Sequence, residues 1–282
     1  MSSTLQVSNN NNREKVKYSN KVKGNVFIKW YDDQGEHIQE LHNQITTSFI
    51  NLLTSYAQVG GRLVGNPVFT ILAYSGNNAV ASANASLIYT VAGENNILRF
   101  ETVLQYSSGT TITSLQLQFS NLPIGSIIAS VNVSSFPTSG LVFVTWLVTV
   151  QINTFDAFTP YLLACLFNVT SVPNGATTNV TLGIQAFIQY RYLTSPPSYY
   201  VSYTVGSSAT TIPVQPTITN NSISVTYTVI TNQVSTVFQP TVYATATNGN
   251  VTMLSYLGSL LLLLGESLSI SYSVVYEAVS GG

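Results

Sequence analysis

Apolar and polar residues alternate along two long stretches of the chain, which predicts half-buried β-strands. In residues 141–152 every second position from 142 to 150 carries an apolar side chain: Val142, Val144, Trp146, Val148 and Val150. The alternation recurs 126 residues later, at Leu268, Ile270, Tyr272, Val274 and Tyr276. Serines fill the intervening positions of this second stretch from Ser267 to Ser273. We therefore expect one buried and one hydroxyl-rich face on it.

The same offset of 126 relates a second pair of segments. NNILRFETVL at residues 95–104 aligns with NSISVTYTVI at residues 221–230. One offset that serves two separate segments predicts a duplicated β-rich module. We place the boundary between the copies near residues 153–159, where Asp156 and Pro160 break the strand pattern. The predicted modules are residues 25–156 and 157–282.

Short strands separated by turn residues fill the rest of the first module. They are predicted at residues 68–74, 85–91, 97–106, 111–119 and 126–133, after a hairpin at 25–41 that turns at Gly35. Thr46 or Thr47 is predicted to cap a short helix with an apolar face of Phe49, Leu52, Leu53 and Tyr56. In the second module, residues 161–165 are interpreted as the counterpart of this helix. Residues 179–187 resemble residues 66–74 in sequence and are interpreted as the corresponding strand. The predicted fold is all-β, with two tandem jelly-roll-like β-sandwich domains, each carrying one short helix.

The N-terminal residues 1–24 differ from the rest in charge. Six of the nine basic residues lie between Arg13 and Lys29, against one acid, Glu14. We expect residues 1–24 to form a flexible, disordered arm. It would anchor the protein to a partner through Arg13, Lys15, Lys17, Lys21 and Lys23. Arg191 is the one base beyond residue 102, so we expect no nucleic-acid contact by the β-modules there.

Charged residues make up 7% of the chain, well below the usual quarter. A surface with few carboxylates should lose little stability in acid, which fits a protein from an acidic habitat. A generic secreted β-protein or fibre would share this composition. No run of residues approaches the roughly 18 apolar residues of a membrane span.

Catalytic and metal-binding patterns are missing from the sequence. Both histidines, His37 and His42, lie in the first hairpin, which excludes a Ser/His/Asp or Cys/His set drawn across the modules. Strand alternation would place His37 and Glu40 on opposite faces, which argues against a metal site. Cys165 is the only cysteine, so an intramolecular disulfide is excluded. We expect neither an enzyme nor a cofactor.

Asn-X-Ser/Thr sequons are frequent, as expected of a chain rich in Asn, Ser and Thr. As candidate glycosylation sites they predict outward-facing side chains. They are Asn84, Asn132, Asn168, Asn179, Asn220 and Asn250.

The order of features in the first module resembles a known class of proteins. It consists of a hairpin, then HNQITTSFINLL, FTILAYSG, NNILRFETVLQYSSGTTITSLQLQF and LVFVTWLVTV. This order resembles the jelly-roll turret or vertex proteins of turreted viruses that infect hyperthermophilic, acidophilic archaea, and is similar to β-sandwich modules of phage tail and fibre proteins. The resemblance implies a structural protein on the outer surface of a virion, without a cofactor. Its implied partners are other capsid or virion proteins, further copies in a homo-oligomer, and a host surface receptor or glycan.

Two other functions fit the sequence. The first is a cell-surface filament subunit whose N-terminal arm inserts as a donor strand into the next subunit. Against it, the arm offers few apolar positions. The second is a carbohydrate-binding module, which would need an exposed aromatic cluster such as Tyr199, Tyr200 and Tyr203.

Overall fold

The computed structural model shows a mostly β protein. It describes residues 6–8, 13–59, 66–107, 109–121, 126–134, 136, 140–191, 194, 196–205, 207–230, 235–246, 249–255, 259–262 and 267–279. Three helices occur in this part of the chain: α1 (Thr47–Val59), α2 (Phe158–Phe167) and α3 (Thr178–Tyr190).

The strands of the N-terminal half are β1 (Gln6–Ser8), β2 (Arg13–Asp32), β3 (Gly35–Ile45), β4 (Phe69–Ser75), β5 (Asn78–Ala92), β6 (Asn95–Tyr106), β7 (Ser114–Phe119), β8 (Ile127–Asn132) and β9 (Gly140–Gln151). Those of the C-terminal half are β10 (Tyr199–Val205), β11 (Ser208–Val214), β12 (Thr217–Ile218), β13 (Ser222–Ile230), β14 (Ser235–Ala246), β15 (Gly249–Ser255), β16 (Ser259–Leu262) and β17 (Ser267–Ala278). The strands predicted in the first module are confirmed, as is its hairpin, in which Gly35 has a φ of 114°.

Alternating burial confirms the two strand faces read from the sequence. The predicted inward set on β9, from Val142 to Val150, is buried. Tyr272, Val274 and Tyr276 of β17 are buried as well. Thr46 caps α1, because its hydroxyl oxygen accepts a hydrogen bond from the Phe49 amide at 3.2 Å.

The strands form two sheets. In the larger one, strands β2, β3, β8, β7, β4, β5, β6 and β9 follow one another, and β9 pairs again with β2, which closes the path into a ring of eight. The segment β12-β13-β17 joins the same sheet through β2. Strands β10, β11, β14, β15 and β16 form the second sheet. Strands from both predicted modules thus share one sheet, and the arrangement of two tandem sandwiches is not confirmed.

The duplication is visible in the pairing of the strands. β4 pairs with β5 and β7, and β7 with β8; correspondingly, β10 pairs with β11 and β14, and β14 with β15. The register of β7–β8 shifts between Leu117 and Gln118, and that of β14–β15 shifts between Val242 and Tyr243, 125 residues later. An irregularity at the matching place supports a true repeat. We call residues 47–151 the first unit and residues 178–278 the second unit.

The strand pairs of the two units can be matched residue by residue, but the offset between equivalent residues differs by one between the two strands. Trp146 pairs with Phe100, and Tyr272 pairs with Val225. The offset is therefore 126 for β9 and β17, as predicted, but 125 for β6 and β13. The sequence alignment was one residue out on β6 because it matched Ile97 to Ile223, whereas the buried residue equivalent to Ile223 is Leu98.

The prediction of a strand at residues 179–187 is wrong, because these residues lie in α3. Val180, Ile184 and Phe187 are buried on one face, at the spacing of a helix rather than of a strand. The counterpart of α1 is therefore α3, and the counterpart of β4 is β10. The second predicted module holds two helices, not one.

Helix α2 connects the two units and is buried along its whole length. The Phe167 ring lies 5.6 Å from both Phe69 and Phe119 of the first unit, and Tyr161 packs edge-on against Phe187 of α3. α2 also packs against β15, next to α3. The predicted boundary at residue 156 stays a prediction, but the chain that follows it is buried between the units.

Candidate assembly surfaces

Strand β2 is shared by the two units. Its residues 13–22 pair in parallel with β17, while its residues 21–30 pair antiparallel with β9 and residues 24–32 with β3. The prediction of a flexible arm over residues 1–24 is therefore wrong for residues 13–24. The remaining arm residues, apart from 6–8 in β1, lie outside the described part. Backbone hydrogen bonds along β17 and β9 fix this segment.

The predicted anchoring residues all lie in β2. Lys21 and Lys23 are exposed. The backbones of Arg13, Lys15 and Lys17 belong to the same strand, at odd-numbered positions like those of Lys21 and Lys23. Even-numbered positions of β2 carry the buried Val22, Val26 and Ile28. The basic residues thus follow the strand's two-residue period, which the sequence analysis missed.

A buried polar cluster ties β2 to the connection between the units. Asn20 Nδ2 donates to Asp156 Oδ2 at 2.6 Å and to Thr159 Oγ1 at 3.0 Å. Thr159 Oγ1 also lies 2.8 Å from the Tyr276 hydroxyl on β17. Asn20, Asp156, Thr159 and Tyr276 are all essentially inaccessible to solvent. The cluster joins three segments that are distant in sequence.

Asp156 also caps α2. Its Oδ1 accepts hydrogen bonds from the amides of Phe158 and Thr159, at 3.0 and 2.9 Å, and its Oδ2 accepts one from the Thr159 hydroxyl at 2.5 Å. Burial raises the pKa of Asp156 above its ordinary value, and hydrogen bonds from Thr159, Asn20 and Phe158 oppose the shift. No cation is among its described hydrogen-bonding partners. The effect of burial on the pKa is therefore larger than that of the hydrogen bonds.

Four further charged residues lie near the β2–β3 hairpin tip: Lys29, Asp32, Asp33 and Glu36. Lys29 Nζ lies 2.8 Å from Glu36 Oε2 and 5.0 Å from the centre of the Tyr31 ring. The Tyr31 hydroxyl donates to Glu36 at 3.0 Å. On the other face, His37 stacks on Trp30 and bonds to Asp32 at 2.8 Å. The hydrogen bond with Lys29 lowers the pKa of Glu36, and that with His37 lowers the pKa of Asp32. Lys29 is therefore paired with Glu36, and Asp32 with His37, at the tip.

The outer faces of the two units differ in character. Eight large apolar side chains are exposed among the described residues of the first unit and the adjoining hairpin, and five of them lie on the adjacent strands β6, β9, β2 and β3: Tyr31, Ile38, Val103, Leu141 and Phe143. On the second unit, the outward positions of β13 and β17 carry hydroxyls, and Thr226 bonds to Ser271 at 2.7 Å and Thr228 to Ser269 at 3.0 Å. Sequence analysis predicted the hydroxyl face but not the apolar one.

The tyrosines proposed as a sugar-binding platform are not brought together on the surface. Tyr199 is buried, and its hydroxyl donates to the Ala57 carbonyl of the first unit. Tyr200 stacks on Tyr243 at 5.5 Å, and Tyr203 on Tyr227 at 6.3 Å, all on the second unit.

The sequons are accessible to different degrees. Asn84, Asn132, Asn220 and Asn250 are exposed. Asn168 and Asn179 are half-buried, and the Asn168 amide donates to Asn66 Oδ1 at 3.0 Å. Glycosylation of all six stays a prediction, for which the four exposed residues are the better candidates.

The described residues contain no group of three potential metal ligands. Cys165 is buried in α2, where its thiol donates to the Arg191 carbonyl at 3.5 Å, and burial raises the pKa of this thiol. Among the described helices, none is both long and apolar enough to cross a bilayer.

Comparison with curated proteins finds a viral relative. The chain is 33% identical over 261 residues to protein ORF258 of Acidianus filamentous virus 2 (isolate Italy/Pozzuoli), which is itself uncharacterized. The match covers 91% of this chain and 98% of the viral protein. The chain belongs to the ORF258 family. The expected viral relationship is thus supported at the level of the family, and this member comes from a filamentous virus rather than a turreted one. No protein-family description matches the chain, and no solved structure does.

Proposed function

We propose that this ORF258-family protein is a non-enzymatic structural component of a virion. The observation that carries the proposal is the match to a filamentous-virus protein over nearly the whole length of both chains. A match of this extent reaches both units of this chain.

The architecture supports a structural role in two ways. First, β2 and α2 fasten the two units together through a sheet and a buried core, which suits a rigid building block. Second, six of the nine basic residues lie on β2, where Lys21 and Lys23 are exposed, in an otherwise weakly charged chain. We propose that the basic residues of β2 contact an acidic surface of another virion protein, replacing the flexible anchor expected from the sequence.

The outward placement and the host contact expected from the sequence belong to the same proposal. The weakly charged second unit would face outward from the particle. There, its exposed sequons and hydroxyl face would meet a host receptor or glycan. A turret or vertex location is one form of this arrangement, and a position along a filamentous particle is another.

Quantitative mass spectrometry of purified virions tests the proposal. We expect the protein in many copies per particle, and immunogold labelling with antibodies against residues 178–278 should decorate the particle surface. Detection in infected cells but not in purified particles would contradict a virion role. Labelling that requires disruption of the particles would contradict the outward placement alone.

A filament subunit assembled by donor-strand exchange is the second candidate. One observation favours it: residues 13–22 already act as a strand beside the C-terminal strand β17. A strand that completes its own chain could complete a neighbouring chain instead. Purified protein that forms heat-resistant polymers, and loses them when residues 1–22 are deleted while the remainder stays folded, would favour this candidate over the virion subunit.

A further inference from the structure

Five exposed apolar side chains form a contiguous surface at one end of the first unit. We call Tyr31, Ile38, Val103, Leu141 and Phe143 the apolar patch; they are 56%, 64%, 41%, 55% and 42% exposed. Val103 pairs with Phe143 across β6 and β9, Phe143 with Lys29 across β9 and β2, and Lys29 with Ile38 across β2 and β3. The Tyr31 and Phe143 rings meet edge to face at 6.4 Å. The patch therefore spans four adjacent strands.

The second unit shows that the fold does not require apolar residues at this place. With the offsets of 125 and 126, the pair Val103 and Phe143 corresponds to Thr228 and Ser269. Those two hydroxyls bond to each other across the same pair of strands at 3.0 Å. The same backbone arrangement thus has a water-compatible face in one unit and an apolar face in the other. Contiguous exposed apolar patches mark interaction sites when folding does not explain them.

The charges around the patch indicate what covers it. Lys29 and Glu36 lie beside the apolar side chains and pair with each other at 2.8 Å. Arg99 pairs with Glu101 next to Val103, so most of the charge near the patch is paired. Glu40, two residues from Ile38, accepts a hydrogen bond from Asn25. A two-fold contact places the same surface against itself, and a surface with a net charge would repel its copy. A patch at which Lys29 and Glu36 neutralise each other is compatible with its own copy and offers little attraction to nucleic acid or to a strongly charged protein.

We propose that the apolar patch is a homodimer interface, in which the patches of two copies of this chain pack face to face around a two-fold axis. The inference rests on the proposed function in that a structural subunit needs contacts with its neighbours. It names a second copy as the partner and the β6-β9-β2-β3 face as the contact.

Sedimentation velocity of the purified full-length chain over a range of concentrations tests the interface. We expect reversible dimerisation. The double substitution V103T/F143S, which introduces the residues of the second unit, should weaken dimerisation at least about tenfold, or roughly 1.4 kcal/mol. T226A/S271A, on the hydroxyl face of the second unit, is the matched control and should leave dimerisation unchanged. All these positions are on the outer sheet face, so melting temperatures should confirm intact folding.

A second measurement keeps the proposal testable if the double variant is poorly folded. Ile38→Ser changes the most exposed member of the patch and should also weaken the dimer. A wild-type chain that stays monomeric at every concentration would overturn the proposal, including the case in which the chain's own residues 1–12 cover the patch. A dimer that both variants leave intact would overturn it as well. A dimer in solution without the protein in virions would contradict the proposed function but not this interface.

Discussion

Asn20 Nδ2 donates a hydrogen bond to Asp156 Oδ2 at 2.6 Å, although the two residues are 136 positions apart. The bond joins the strand shared by both units to the turn that leads from one unit to the other. Because both side chains are buried, Asn20→Ala should leave a buried carboxylate oxygen short of a donor. We expect the free energy of unfolding to fall by about 1–3 kcal/mol. Denaturant melts measure this loss, and exposed Ser19→Ala, one residue away, is the control.

The buried carboxyl of Asp156 gives the protein a predictable response to pH. Its pKa is raised in the folded state, so the unfolded chain ionises first as the pH rises. The contribution of Asp156 to stability is therefore full below its ordinary pKa of 3.8 and is lost as the pH rises through the raised value. Asp32 and Glu36 shift the other way, but both are solvent-exposed and should contribute little.

The pH response is measured by comparing Asp156→Asn with the wild type in melts between about pH 3 and pH 7. The variant lacks the titrating group, so the stability difference between wild type and variant should move in favour of the wild type as the pH falls. A difference that stays constant across this range would contradict a raised pKa at residue 156. Apart from the contribution of Asp156, the stability of the wild type should change little over the range, because few other carboxylates are present.

Close packing between α2 and α3 depends on Gly183. A Cβ at this position would overlap the Ala157 carbonyl oxygen and lie 2.9 Å from both Pro160 Cβ and the Tyr161 amide nitrogen. The obstacle is mainly backbone, which cannot move aside easily. Gly183→Ala should destabilise the fold by about 2 kcal/mol or more, even though alanine favours a helix. Gln185→Ala, exposed on the same helix, should be neutral or slightly stabilising in the same thermal melts.

Deletions at the N-terminus should show which part of the predicted arm the fold requires. Removing residues 1–12 deletes β1 but leaves β2 whole, so the melting temperature should change by a few degrees at most. Removing residues 1–24 also deletes the partner of β17 together with Asn20, and should destabilise or unfold the second unit. Circular dichroism melts of the two truncated chains distinguish these cases. Equal stability of both would contradict a structural role for residues 13–24.

Much of the first unit could be predicted from the sequence, because its strands alternate regularly between turn residues. The strand character of residues 13–24 was also visible, since bases occupy odd positions and Val16 and Val22 even ones. Two polar or small residues on the inward face obscured it. Asn20 occupies an inward position because its side chain hydrogen-bonds to Asp156. Gly24 occupies another because the Asn43 side chain fills the space that a Cβ would take.

Long-range pairing could not be predicted in the same way. Local periodicity identifies a strand but not its neighbour, so the parallel pairing of β2 with β17 left no trace in either segment. Helix α3 was misread because its apolar residues were compared with a strand of similar composition, while the spacing of Val180, Ile184 and Phe187 indicated a helix. The apolar patch went unnoticed because exposure depends on which strands flank Phe143.

Amide hydrogen exchange of residues 13–22 in the full-length protein tests most directly whether β2 is a structural strand shared by both units. Peptides from this segment can be compared with peptides from residues 25–32, which belong to the part of the same strand that pairs with β3 and β9. We predict strong protection in both segments, with similar loss of protection in denaturant, because one continuous strand is hydrogen-bonded to β17 and to β9. Complete exchange of residues 13–22 within seconds, beside a protected 25–32 segment, would contradict the shared strand and restore the flexible arm.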